Sequence, residues 1–174
     1  MKILLIGPQG SGKSTQGRLL EQNLQIPYIS TGDIFRQIAQ QNSEEGKKIK
    51  QILESGQLVD DQTTARLLEE RVKKPDCQNG FILDGYPRNL EQVKLINLNF
   101  DKVFFLNTPK EVALDRLLKR GRSDDTEESI TKRLTLYYQQ TEALLDYYKN
   151  QGILAGIDGR GEIQSIQDEI KKSL

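Results

Sequence analysis

The chain contains no histidine, no tryptophan, a single cysteine and a single methionine among its 174 residues. Without histidine the commonest general base is missing, so any catalysis must rest on charge and positioning. One cysteine, Cys77, cannot close an intramolecular disulfide, and a redox or metal role would need partners that the sequence does not offer. It lies in the loop-like stretch Pro75-Asp76-Cys77-Gln78-Asn79-Gly80, where a small filler residue is expected. Net charge is also missing: 25 lysines and arginines balance 25 aspartates and glutamates. That balance argues against general electrostatic binding to nucleic acid or to an acidic membrane. No apolar run approaches a membrane span, and a core-like strand opens the chain with no secretory leader before it. The expectation is a cytoplasmic protein with one real core and room for small inserted lobes.

What is present begins at residue 7. Gly7-Pro8-Gln9-Gly10-Ser11-Gly12-Lys13-Ser14-Thr15 fits the phosphate-loop pattern Gly-x-x-x-x-Gly-Lys-[Ser/Thr] without a mismatch. Ile3–Ile6 precedes it as a short apolar strand, and Leu19, Leu20 and Leu24 follow on one face of a helix. Strand, glycine-rich loop and helix form the context this motif requires. Backbone N–H groups around Gly10, Ser11 and Gly12 can turn inward as an anion-binding nest, and the helix adds its positive end. Lys13 would reach the β- and γ-phosphates of a nucleoside triphosphate, and Ser14 or Thr15 could meet its magnesium ion.

Further strand-like segments follow at Tyr28–Ser30, Phe81–Asp84, Val103–Asn107 and Ile153–Ile157, with helical patterns between them. This alternation predicts a five-stranded parallel sheet in an α/β sandwich, with ligands beyond the carboxyl ends of the strands. Segment 31–59 is a helical excursion that stops at Ser55-Gly56, a candidate second substrate lobe. Asp60 or Asp61 can cap the next helix, which carries Ala65, Leu68 and Val72 on one side. Thr108-Pro109-Lys110-Glu111 has capping-box spacing with proline at the first helical position. A later helix from about Thr126 to Asn150 is expected to bury Ile130, Leu134, Tyr137, Tyr138, Leu144, Leu145 and Tyr148. The last helix should turn Ile163, Ile166 and Ile170 inward.

Two more segments carry chemistry. In Phe81-Ile82-Leu83-Asp84-Gly85-Tyr86-Pro87-Arg88, an apolar strand ends on an aspartate, where a phosphate-loop protein is expected to keep its magnesium-organising carboxylate. Taken alone, a capping aspartate and a solvated arginine read the same. Arg116, Arg120, Arg122 and Arg133 surround one helix–helix turn and could clamp phosphates with forked hydrogen bonds. A solvated basic turn paired with Asp124 and Asp125 is the alternative. The glycine-bearing Ile157-Asp158-Gly159-Arg160-Gly161 ends the last strand and could offer backbone to a base, or be only a turn.

In this order and spacing, the segments resemble the adenylate kinases in their short-lid form, over essentially the whole chain. The motifs are the phosphate loop with Thr15-Gln16, then Ser30-Thr31-Gly32-Asp33 with Arg36, and Gly56 with Leu58-Val59. They continue through Asp84-Gly85-Tyr86-Pro87-Arg88 with Gln92, and Arg120-Gly121-Arg122-Ser123-Asp124-Asp125 with Arg133. The resemblance implies a three-layer nucleoside monophosphate kinase domain over 1–174, an AMP-binding lobe at 30–59 and a very short lid at 120–126. It implies direct phosphoryl transfer from Mg·ATP to AMP, giving two ADP, in a monomer without nucleic-acid or membrane partners.

By the same resemblance Thr31, Arg36, Gly85, Arg88 and Gln92 hold AMP, with the backbone of Gln57, Leu58 and Val59 beside its adenine. Lys13, Arg88, Arg120, Arg122 and Arg133 surround the transferred group. Arg116 stacks on the adenine of ATP, and the backbone near Gly161 borders that base. Magnesium is the implied ion, through Ser14 and through water on Asp84 and Asp33. Thr31 and Gln92 resemble the AMP enzymes, where UMP/CMP kinases usually have alanine and asparagine.

Two departures stand out. Ser14 occupies a usual glycine position, and the lid is shorter than the usual short form, lacking the four-cysteine zinc insert. The expectation is no zinc, and a site shielded less well, measurable as ADP released from ATP without AMP. A kinase for UMP, CMP or another small acceptor is the alternative within enzymes. A nucleotide-binding regulator without turnover is the alternative outside them. Loss of Lys13 or Arg88 would mark the regulator, and both residues are present.

Overall fold

A computed structural model describes residues 1–121 and 126–174, the side chain of Glu142 aside. Arg122 and most of the expected lid therefore lie outside the described residues. In chain order the elements are β1 (Lys2–Ile6), α1 (Lys13–Leu24), β2 (Tyr28–Ser30), α2 (Thr31–Ala39) and α3 (Glu44–Glu54). Then come α4 (Asp61–Val72), a 3₁₀ turn (Pro75–Cys77), β3 (Phe81–Asp84), α5 (Leu90–Leu95) and β4 (Lys102–Asn107). The chain ends with α6 (Lys110–Arg120), α7 (Glu127–Asn150), β5 (Leu154–Asp158) and α8 (Ile163–Lys172).

The five strands pair in the order β2-β3-β1-β4-β5, every pair parallel. Parallel strands need crossover helices, and those helices cover both faces, so β1 can be apolar throughout. Its side chains alternate. Ile3 and Leu5 join Leu20 of α1 and Ile166 and Ile170 of α8 on one face. Leu4 and Ile6 join Leu68 of α4 and Leu144 and Tyr148 of α7 on the other. The result is the expected three-layer sandwich.

Helices α2 and α3 carry a small core of their own, in which Phe35 and Ile49 meet Val59 and Leu67. Their starts follow from local chemistry. Ser43 Oγ accepts the Gly46 N–H at 3.0 Å, and the Asp60 carboxylate accepts the Thr63 N–H at 2.8 Å to begin α4. Gly56, at φ +67°, ends α3 in the left-handed conformation that glycine adopts without a side-chain clash.

Three expectations about packing are corrected. Tyr138 is 44% exposed, because the buried stripe of α7 runs through Ile130, Leu134, Thr141, Leu144 and Tyr148, and Tyr138 falls beside it. Ile163 is 57% exposed: it opens α8, and Ile166 and Ile170 lie one and two turns further in. The Thr108 capping box does not form. Pro109 is the N-cap with no side-chain hydrogen bond, while Thr108 is buried against Gly159, with its Oγ1 lacking a partner among the described residues. The box occurs instead at Thr126, whose Oγ1 accepts the Ser129 N–H as Ser129 Oγ accepts the Thr126 N–H.

Candidate functional site

Strand β1 connects onward to β2 and β3 on one side of the sheet and has β4 on the other, so its carboxyl end is a topological switch point. A cleft of about 450 Å³ opens there, a volume typical of small-molecule sites. Gly10 and Gly12 (φ +82° and +94°) shape its floor, and Gly10 packs so closely on the Ala113 carbonyl that a side chain would clash. Ser11 shapes the loop from below, its side chain buried and its N–H donating to the Pro8 carbonyl at 3.1 Å. Ser14 and Thr15, the first residues after Lys13 in α1, line the cleft.

Lys13 Nζ donates to the carbonyls of Gly7 and Pro8 at 2.7 and 2.9 Å and lies 3.9 Å from Asp84 Oδ1. Burial pushes its proton affinity down, and the Asp84 carboxylate pulls it back up. Asp84 itself is buried, its Oδ2 accepting the phenol of Tyr28 at 2.7 Å. Burial also raises the Tyr28 phenol far above the usual tyrosine range, with the Asp84 charge adding to that, so it stays protonated and donates. Arg88 Nε donates to the Gly85 carbonyl at 2.8 Å; burial lowers its proton affinity and Asp84 opposes the shift.

The α2–α3 side brings in further candidate residues. Thr31, Arg36, Gln57, Leu58 and Val59 line the cleft, and Thr31 Oγ1 is buried without a hydrogen-bond partner among the described residues. Arg36 is held by Asp33 Oδ1 at 2.5 Å, and Asp33 Oδ2 lies 3.4 Å from Arg18 Nη2. Gln92 is buried, its Oε1 accepting the Arg88 N–H at 2.7 Å and its Nε2 donating to Asp61 Oδ1 at 2.6 Å.

From α6, Arg116 and Arg120 reach the same cleft. Arg116 Nη1 donates to the Gly159 carbonyl at 2.8 Å, tying α6 to the loop after β5. Gly161, two residues on, is exposed and outside the cleft lining. Arg133 is buried and lines the cleft from α7, its Nη2 lying 3.5 Å from the Leu53 carbonyl at the end of α3. The candidate residues thus converge from the phosphate loop, α1, α2, β3 and the loop after it, α5, α6 and α7, and Arg122 lies outside the described residues.

Three cleft-side residues escaped the sequence reading. Tyr28 enters there only as the first residue of a strand-like segment, Arg18 not at all, and Asp61 as one of two candidate caps. Only Asp61 carried a signal, its place beside Asp60. The oxygen donors suit magnesium: Ser14 and Asp84 share the cleft wall, and a hard cation that retains waters needs few protein oxygens. Among the described residues no three His, Cys, Asp or Glu side chains group together.

The family model described as "Adenylate kinase" matches residues 5–153. The chain is 39% identical to the "Adenylate kinase" of Nocardia farcinica, covering 100% of this chain and 99% of that one. It is 43% identical to the "Adenylate kinase" of Cyanothece sp., covering 98% and 96%. With the "Adenylate kinase" of Caldanaerobacter subterraneus subsp. tengcongensis the identity is 36%, covering 100% and 96%.

Proposed function

Because the chain belongs to the adenylate kinase family, we propose that its cleft seats Mg·ATP on the phosphate loop and AMP beneath the α2–α3 lobe. The reaction is reversible phosphoryl transfer from Mg·ATP to AMP, yielding two ADP. An AMP phosphate oxygen bonds to the γ-phosphorus while the bond from that phosphorus to the β-bridging oxygen breaks, and ADP leaves with that electron pair. No protein nucleophile is required. The observation that carries this reading is the convergence of Lys13, Arg88, Arg120 and Arg133 on one cleft whose wall also holds Asp84.

Four cations from separate elements serve a transition state whose charge spreads over equatorial oxygens. Lys13 and Arg120 would bear on the ATP phosphates, and Arg88 and Arg133 on the transferred group and the AMP phosphate. Arg122 would join them from the lid. Arg36 would take the AMP phosphate when it exchanges Asp33 for it, and Gln92 with the 57–59 backbone would read adenine. Thr31 and Gly85 would line the AMP side, and Arg116 with the 159–161 loop would flank the ATP base. Ser14 would hold magnesium, with Asp84 and Asp33 organising its waters. The chemistry such an ion would supply is neutralisation of the phosphate charge.

A monomer in the cytoplasm fits this reading, and no helix among the described residues is long and apolar enough to cross a membrane. The test is product formation from Mg·ATP with AMP, UMP, CMP, GMP or no acceptor, all nucleotides resolved. Two ADP per AMP consumed, with AMP alone as acceptor, is the expected result. Transfer to UMP or CMP instead would overturn the acceptor assignment, and no turnover with ATP binding intact would overturn the enzyme.

A further inference from the structure

We propose that Tyr28 is a positioning residue for the phosphoryl transfer, its phenol holding the Asp84 carboxylate in one orientation, and that position 17 is glycine to admit its ring. The proposal rests on the reading of Asp84 as the carboxylate that organises magnesium-bound water.

Three observations converge on it. The parallel register sets Tyr28 beside Ile82, so Asp84, two residues further along β3, projects to the same face of the sheet. The phenol spans that offset and donates to Asp84 Oδ2 at 2.7 Å. The ring has its own seat: a Cβ at position 17 would collide with Tyr28 Cε2 and Cδ2, so the α1 backbone approaches the ring as only glycine allows. Its location is secured again by the Arg18 guanidinium, 5.4 Å from the ring centroid.

The physical need follows from the carboxylate. The terminal torsion of an aspartate is broad and roughly two-fold, so a lone Asp84 would sample many orientations. Lys13 Nζ, 3.9 Å from Oδ1, offers a competing partner. With Oδ2 committed to the phenol, Oδ1 is kept toward the phosphate loop without collapsing onto Lys13. Tyr28 touches Asp84 and acts through it.

The experiment compares the full chain with Tyr28→Phe, Asp84→Asn and the double variant. A non-hydrolysable ATP analogue is titrated calorimetrically with and without Mg²⁺, and kcat and KM for ATP are measured in parallel. Tyr28→Phe should weaken analogue binding roughly three- to tenfold with Mg²⁺ present and leave it unchanged without. It should lower kcat by a similar factor and add no further loss in the Asp84→Asn background. Equal weakening with and without Mg²⁺, or full additivity in the double variant, would overturn the proposal. Gly17→Ala, which crowds the ring but keeps the phenol, is a second route, and either variant folded with normal Mg²⁺ dependence also overturns it. If Asp84→Asn itself leaves the Mg²⁺ dependence intact, the reading of Asp84 fails, a result distinct from failure at Tyr28 alone.

Discussion

Gln92 and Asp61 are joined by a 2.6 Å hydrogen bond that reaches from α5 to the first residue of α4. With the Arg88 N–H on Oε1, this bond decides which end of the amide carries its donors, a choice the soft terminal torsion of glutamine would otherwise leave open. One Gln92 N–H and one oxygen lone pair remain for a base in the cleft. Asp61→Ala should therefore raise the KM for AMP about five- to tenfold with kcat nearly retained, as expected for one net hydrogen bond. Steady-state kinetics with AMP varied checks it; a loss confined to kcat would argue that Asp61 acts elsewhere.

Lys13 is a buried cation whose proton affinity burial pulls down, so its charge works against the folded state, and on the proposed reading that charge is kept for the phosphates of ATP. Replacing it with methionine keeps the stem and removes the charge. The expected outcome is a fall in kcat of about 10²–10³ or more, with Tm held or raised. The sign of the burial effect also predicts that this group favours folding more as the pH rises toward its ordinary value of 10.5, since the unfolded chain binds the extra proton there. A large drop in Tm would show that the donations to Gly7 and Pro8 outweigh the burial.

Gly56 sits at φ +67°, and a Cβ there would lie 2.9 Å from Ser129 Cβ at the start of α7. Gly56→Ala meets both backbone strain and this contact. It should cost about 1–2 kcal/mol, or a fall in Tm of roughly 2–8 °C. AMP binding should weaken as well, because Gln57, Leu58 and Val59 follow directly. Thermal unfolding combined with AMP titration separates the two effects.

Asp60 caps α4 through the Thr63 N–H, and that hydrogen bond holds its carboxyl below the usual value of 3.8. Asp60→Ala should cost about 1 kcal/mol near neutral pH. The depressed carboxylate contributes fully above its unfolded value and loses that contribution as pH falls through the folded one. Wild type and variant should therefore converge in stability on acidification below 3.8; a gap constant with pH would deny the charge a part in the cap.

The fold was legible where local patterns carry it. Each expected strand lies within a residue of its observed ends, because apolar runs bounded by turn residues are local signals. Packing was less legible. Periodicity placed Tyr138 and Ile163 inside, yet a helix turned slightly or begun a residue later exposes its flanking position. Thr108 had the spacing of a cap, but tertiary contact with Gly159 claimed its side chain first.

The sequence by itself determined the phosphate loop, the strand-ending Asp84, and the cations that the chemistry needs. The loop is a contiguous motif whose glycines dictate backbone conformation, and the cations stand at separations that local elements preserve. Only the tertiary structure decided which partners hold those groups. Tyr28 meets Asp84 across 56 residues, Gln92 meets Asp61 across 31, and Arg133 approaches Leu53 across 80. Such contacts depend on sheet order, register and helix placement, and hydrogen bonds between distant residues leave no period in the chain that forms them.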